Sequence, residues 1–158
     1  ECVAAITSSE NGIAMLPQPF VTTAETQNPS IRTALDLTEE WDKAQETGEN
    51  NSALITGVVV ARTDFAEENP EAVEDFMTRY QESVDYVNSN TEDAAELVGK
   101  YDIVTAEVAK TALPECNIVF MEGEEMKEKL SGYLEVLKGQ NPEAVGGEVP
   151  GDDFYYSR

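Results

Sequence analysis

Histidine is absent from this chain of 158 residues, and cysteine occurs only twice, at Cys2 and Cys116. Without histidine the usual general base and the usual transition-metal ligand are both missing. Two cysteines are too few for a disulfide framework, and no Cys-x-x-Cys spacing points to redox or zinc chemistry. Two isolated buried thiols are the expectation, with a single Cys2–Cys116 bridge as the alternative. Basic residues are scarce as well: 10 against 32 acidic ones give a formal charge of −22. Nucleic acid demands a basic face and an anionic membrane surface attracts one, so both are excluded as partners. No apolar run is long enough to span a bilayer, and no signal-type apolar stretch occurs among these residues. Any membrane attachment is therefore expected only through a lipid anchor that these residues do not contain. A chain opening Glu1-Cys2-Val3 without methionine is expected to be a processed product or a piece of a longer one.

What is present is a globular composition, 41% hydrophobic with 8% aromatic residues. The acids are spread along helix-like segments, mostly as glutamate, and read as a solvated, solubilising surface. The most informative stretch is Ile13-Ala-Met-Leu-Pro-Gln-Pro-Phe-Val-Thr-Thr-Ala24. Ile13 to Leu16 has the length of a buried strand. Pro17 and Pro19 stop it, since neither can donate to a sheet ladder. Phe20, Val21 and Ala24 resume at helical spacing, with Pro19 suited to a first helical turn. This turn either only reverses the chain or sets Gln18 and backbone N–H groups at the carboxyl end of a strand, where open α/β sheets bind ligands.

The rest of the chain reads as an alternation. A short helix is expected over Glu1–Ser9 and a strand over Ile31–Leu37. A helix follows from Thr38-Glu39-Glu40 through Trp41 to about Gln45. Thr47–Ser52 is the most polar loop; its Asn-x-Ser sequon at Asn50 is set aside in a chain of bacterial character. Leu54–Arg62 is the strongest strand signal, β-branched and apolar on both faces as a central strand is. Gly57 within it suggests a bulge, a bend or a close backbone approach. Phe65–Asn69 predicts a short turn of helix. Asn69-Pro70-Glu71 then opens the longest helix, to about Asn88, with an apolar stripe at Val73, Phe76, Met77, Tyr80, Val84 and Val87. Thr91 and Thr105 are expected to cap two further helices, the second stopped by Pro114. Asn117–Phe120 predicts a short strand and Glu124–Lys138 an amphipathic helix. The tail from Gly146 is expected to be extended and to pack by its aromatics.

No nucleophile–base pair, phosphate loop or metal-ligand spacing occurs, so no catalytic residue, metal or cofactor is expected. The neighbouring acids Asp152 and Asp153 read as solvated tail charges.

Several phrases, in order, resemble one group of solute-binding proteins of ABC importers. They are Ala14-Met-Leu-Pro-Gln-Pro-Phe-Val-Thr-Thr-Ala24, Ala34-Leu-Asp-Leu-Thr-Glu-Glu-Trp-Asp-Lys43, Gly57-Val-Val-Val-Ala-Arg62, Asn69-Pro-Glu-Ala-Val73, Leu113-Pro-Glu-Cys-Asn-Ile-Val-Phe120 and Gln140-Asn-Pro142. The group is the nitrate-, sulfonate-, taurine- and thiamine-pyrimidine-binding branch, of Gram-positive type. The resemblance covers nearly the whole chain but only the carboxyl-terminal half of such a protein. It implies an α/β chain, the carboxyl-terminal part of a two-lobed, type II periplasmic-binding-protein-like fold, helix-rich after residue 64. Residues 1–54 would be the latter part of the second lobe, 55–62 a crossover strand and hinge, and 63–158 the carboxyl-terminal part of the first lobe. Cys2 lacks the sequence context of the family's lipidated cysteine.

The implied function is the extracytoplasmic component of an ABC importer, at a Gram-positive cell surface or in a periplasm, capturing a small anion or heterocycle by cleft closure and delivering it to the permease. The ligand-binding candidates are Gln18, Pro19, Phe20 and Thr22 of the turn, joined by Thr56 and Gly57 of the crossover. Two other readings stand beside it: an acidic interaction domain, and an enzyme on the same scaffold. Some thiamine-pyrimidine relatives in eukaryotes are synthases that consume their own histidine, and this chain has none.

Overall fold

The computed structural model describes residues 1–46 and 51–157; Asn50 of the sequon lies outside them. Among the described residues 61% are helical and none is in a strand. The helices are α1 (Cys2–Thr7), α2 (Phe20–Gln27), α3 (Leu37–Gln45), α4 (Thr63–Glu68), α5 (Pro70–Ser89), α6 (Thr91–Lys100), α7 (Ala106–Ala112) and α8 (Gly123–Gln140). Single 3₁₀ turns occupy Leu113–Glu115, Pro142–Val145 and Asp152–Phe154.

The α/β, two-lobed expectation is therefore overturned: among the described residues the fold is all-helical. The stretches Ile13–Leu16, Leu54–Ala61 and Asn117–Phe120 carry no regular structure, and Ile31–Leu37 is irregular until α3 begins at Leu37. The physical reason is pairing. A β-branched apolar run earns a strand only when a neighbour satisfies its backbone groups. Periodicity reports the side-chain pattern and is silent about that neighbour.

The chain divides into two compact units. The first comprises residues 1–34 and 75–120, with α1, α2, most of α5, α6 and α7. Its buried residues are small: Thr22, Ala24, Ala94, Ala95, Ala109 and Ala112, with Val84 the one larger aliphatic. α1 and α2 pack together, and Asn28 Nδ2 donates to the Thr7 carbonyl at 3.0 Å. α6 turns into α7 through Asp102, whose φ of 55° is left-handed. The Asp102 and Ile103 N–H groups there satisfy the Gly99 and Val98 carbonyls at 3.1 and 3.2 Å. Thr105 caps α7 as its sequence predicts, its Oγ1 accepting from the Val108 N–H at 3.3 Å. In α6 the expected cap is one residue late, since Thr91 is already helical and Asn90 precedes it.

The second unit comprises residues 35–74 and 121–158. α3 is capped by Asp36, whose carboxylate accepts from Thr38 N at 2.8 Å and Glu39 N at 3.2 Å, so the expected start at Thr38 is one residue late. The Trp41 ring lies 5.3 Å from that of Tyr133 on α8, and its Nε1 donates to the buried Ser52 hydroxyl at 3.1 Å. Lys129 Nζ on α8 donates to Asn51 Oδ1 at 2.8 Å. The tail from Gly146 holds one 3₁₀ turn, Asp152–Phe154, within otherwise irregular chain, and it does pack by an aromatic: Tyr155 is buried, edge-on to Phe154 at 5.3 Å.

Candidate functional site

The Pro17–Thr22 corner folds from its own sequence. The Gln18–Pro19 peptide bond is cis, and Pro19 stands immediately before the first residue of α2. Four backbone N–H groups open a helix without an intrahelical partner. Here Pro19 has no N–H, and the other three are satisfied locally. Phe20 N and Val21 N donate to the Pro17 carbonyl at 2.9 and 3.3 Å, while Thr23 N makes the first intrahelical bond, to the Pro19 carbonyl at 3.0 Å. Thr22 N donates to the side-chain oxygen of Gln18 at 3.3 Å.

Gln18 is thus the side-chain cap of α2. Its Oε1 accepts a second bond, from the Thr22 hydroxyl, at 2.9 Å. Thr22 is buried and held in place, its carbonyl accepting from Thr26 Oγ1 at 2.8 Å. With Oε1 doubly engaged, the Gln18 amide is oriented, and its Nε2 group is the polar function left to a ligand. Beside it, at the first residue of α2, Phe20 is 51% exposed. The capping role of Gln18 was missed in the sequence, although the spacing of four to Thr22 across a helix start could have shown it.

The structure brings together Gln18, Pro19, Phe20 and Thr22 in the first unit. Thr56 and Gly57 lie in the second unit, both exposed. No atom lies within 4 Å of the place a Gly57 Cβ would occupy, so nothing among the described residues makes the expected close approach.

The first unit carries twelve acidic residues against four basic ones. Of the basic residues, Arg79 is bonded to Asp75 at 2.8 Å and Lys110 to Glu92 at 2.6 Å, while Arg32 is exposed and makes no ion pair among the described residues. Lys100 sits 5.7 Å from the Tyr101 ring centroid. The Asp75 carboxylate raises the Arg79 pKa, and the Lys110–Glu92 hydrogen bond raises the lysine while lowering the glutamate. An open hollow in the same unit is lined by Gly99, Asp102, Val104, Thr105 and Ala106 and includes none of the candidate residues.

Both cysteines are free, which removes the bridge. Cys2 is exposed rather than buried; Cys116 is half-buried, and burial, then the Glu115 charge, pushes its thiol pKa up. No cluster of three or more metal-ligating side chains exists among the described residues, and no described helix is long and apolar enough to cross a membrane. No family model, curated protein or solved structure matches the chain.

Proposed function

We propose that this chain is a non-catalytic receptor for a small planar heterocycle, working outside the cytoplasm for an ABC importer and handing its ligand to the permease. The observation that carries the reading is the pairing of a doubly anchored Gln18 amide with an exposed Phe20 ring. An aromatic face stacks on a planar ring, and an oriented amide donor reads an acceptor at its edge. Of the two ligand classes expected from the sequence, small anion or heterocycle, the second is favoured. The first-turn N–H groups that would hold an anion are already bonded within the chain, and the net charge of −22 repels one. Thr56 and Gly57 belong to the other unit and are not needed for this recognition. Capture here involves a preformed corner, not closure of an α/β cleft.

Calorimetric titration with an aminopyrimidine, an alkylsulfonate and nitrate tests this. The pyrimidine should bind, and Phe20→Ala and Gln18→Ala should each cost about 1–2 kcal/mol, roughly tenfold in affinity. Thr22→Val, which removes one of the two anchors of the Gln18 amide and keeps the bond from the Thr22 N–H, should weaken binding less. Binding of nitrate or sulfonate in place of the pyrimidine, or indifference to Phe20→Ala, would sink the proposal.

The second reading, an acidic interaction domain, is favoured by one observation: Ile13, Met15, Leu35, Val58, Val59, Val60 and Val119 are all exposed. Three of them, Val58, Val59 and Val60, are consecutive, and uncovered apolar surface marks interaction sites.

A further inference from the structure

The segment Leu54-Ile-Thr-Gly-Val-Val-Val-Ala61 carries no charged residue in a chain that is 27% charged. It is the most strand-prone sequence of the protein, yet it forms neither helix nor ladder. Among the described residues no backbone hydrogen bond is made by Leu54 through Ala61. Val58, Val59 and Val60 are 56%, 59% and 77% exposed. Consecutive side chains of an extended segment point to opposite faces, so three exposed neighbours leave both faces uncovered. Proteins normally blunt such an edge with lysine, proline or a bulge. Here the first charge is Arg62, and it is paired with Asp64 at 3.1 Å.

We propose that Leu54–Ala61 is a docking strand for a different polypeptide, which adds an uncharged, β-branched strand flanked by basic residues. Strand addition satisfies the free N–H and C=O groups, and alternate side chains of the guest cover Val58, Val59 and Val60. Charge chooses the occupant. A second copy would bring another −22 beside the same segment and is repelled, whereas a guest with lysine or arginine flanks is attracted by the acids around it. Glu49 and Glu46 before the segment and Asp64, Glu67 and Glu68 after it are the acids nearest in sequence. This inference goes beyond the receptor reading and does not rest on Gln18 or Phe20.

The test uses the whole chain and the end-capped peptide Lys-Lys-Thr-Val-Ile-Val-Thr-Lys-Lys, with a control in which every lysine is glutamate. Fluorescence anisotropy of the labelled peptide should show binding that weakens as salt rises from about 20 to about 300 mM. Amide exchange at Leu54–Ala61 should slow when the peptide is added. Val59→Pro removes one ladder donor and should lower affinity by about tenfold or more, while Val59→Thr, which keeps the branched shape, should retain binding. Circular dichroism of Val59→Pro should match the parent, since the segment supports no secondary structure. Gln18→Ala and Phe20→Ala should leave the peptide bound, which separates failure here from failure of the receptor proposal. Equal binding of the glutamate peptide, no binding of the lysine peptide, or indifference to Val59→Pro overturns the inference. So does a concentration-dependent dimer that protects Leu54–Ala61 without peptide, because the occupant is then a second copy.

Discussion

Tyr155 shows how one atom can report on a whole packing arrangement. Its ring is buried and stacked edge-on against Phe154, but its hydroxyl has no hydrogen-bond partner among the described residues. A buried donor left unmade costs more than an apolar group of the same shape. Tyr155→Phe is therefore expected to hold or raise stability, by up to about 1 kcal/mol, measured as the urea midpoint at neutral pH. Burial pushes the phenol pKa up; the Lys127 charge opposes it, and the Asp152 and Glu135 charges add to it. An acid whose folded pKa is raised keeps its proton longer in the folded chain than in the unfolded one. Below the unfolded value of about 10 both states are neutral and nothing is lost; as pH rises beyond it, stability falls. Repeating the urea series between neutral pH and pH about 11 should show that fall in the parent and less of it in Tyr155→Phe. A steeper fall in the variant would contradict the buried assignment. At this scale the sequence was partly legible. Aromatic packing of the tail followed from Phe154, Tyr155 and Tyr156 alone, but which hydroxyl would be stranded depended on the 3₁₀ turn at Asp152–Phe154.

Among the elements, the α6–α7 pair is held by a glycine contact that sequence pattern does not show. A Cβ on Gly99 would meet the Ala106 backbone nitrogen at 2.9 Å and its Cβ at 3.0 Å. Two effects compete in Gly99→Ala: helix propensity gains about 1 kcal/mol, and overpacking against rigid backbone costs about 1–3 kcal/mol. The clash should win, giving a net loss of about 1–2 kcal/mol. Gly139→Ala is the matched control. That glycine is an exposed residue of α8 with nothing within 4 Å of its Cβ position, so only the propensity gain of about 0.5–1 kcal/mol remains. Thermal melts of the two variants should move in opposite directions; a shift of the same sign in both would refute the close-approach argument. Helices were the legible part of this chain. Pro70, the Thr105 cap and the α8 stripe placed their helices within a residue or two, because caps and spacing act locally. The strands were not legible, because Leu54–Arg62 and Ile13–Leu16 have strand composition without a paired neighbour. The candidate corner lay between these cases. Its position followed from the two prolines, whereas the filling of its N–H groups by Pro17 and Gln18 required the structure.

For the whole molecule, the deciding quantity is charge set against a core of small residues. Alanines dominate the buried set, and no large side chain among the described residues is fully buried. Apolar burial scales with area, so alanine contributes little per residue compared with leucine or phenylalanine. Against that modest gain stands the self-repulsion of −22, spread over both units. The surface ion pairs, such as Arg79–Asp75 and Lys110–Glu92, are exposed and contribute little. Salt therefore acts in two opposing ways, screening repulsion among many like charges and weakening a few exposed attractions. The acids outnumber the bases by more than three to one, so relief of repulsion dominates. Raising sodium chloride from about 10 to about 150 mM, where the screening length shortens from about 30 to about 8 Å, should raise the melting temperature. Most of the gain should arrive by the upper end of that range, because repulsion between exposed charges more than about 8 Å apart is then largely screened. Scanning calorimetry at constant neutral pH reads it directly. A melting temperature that falls with salt would mean that the exposed pairs, not the acidic surface, control stability.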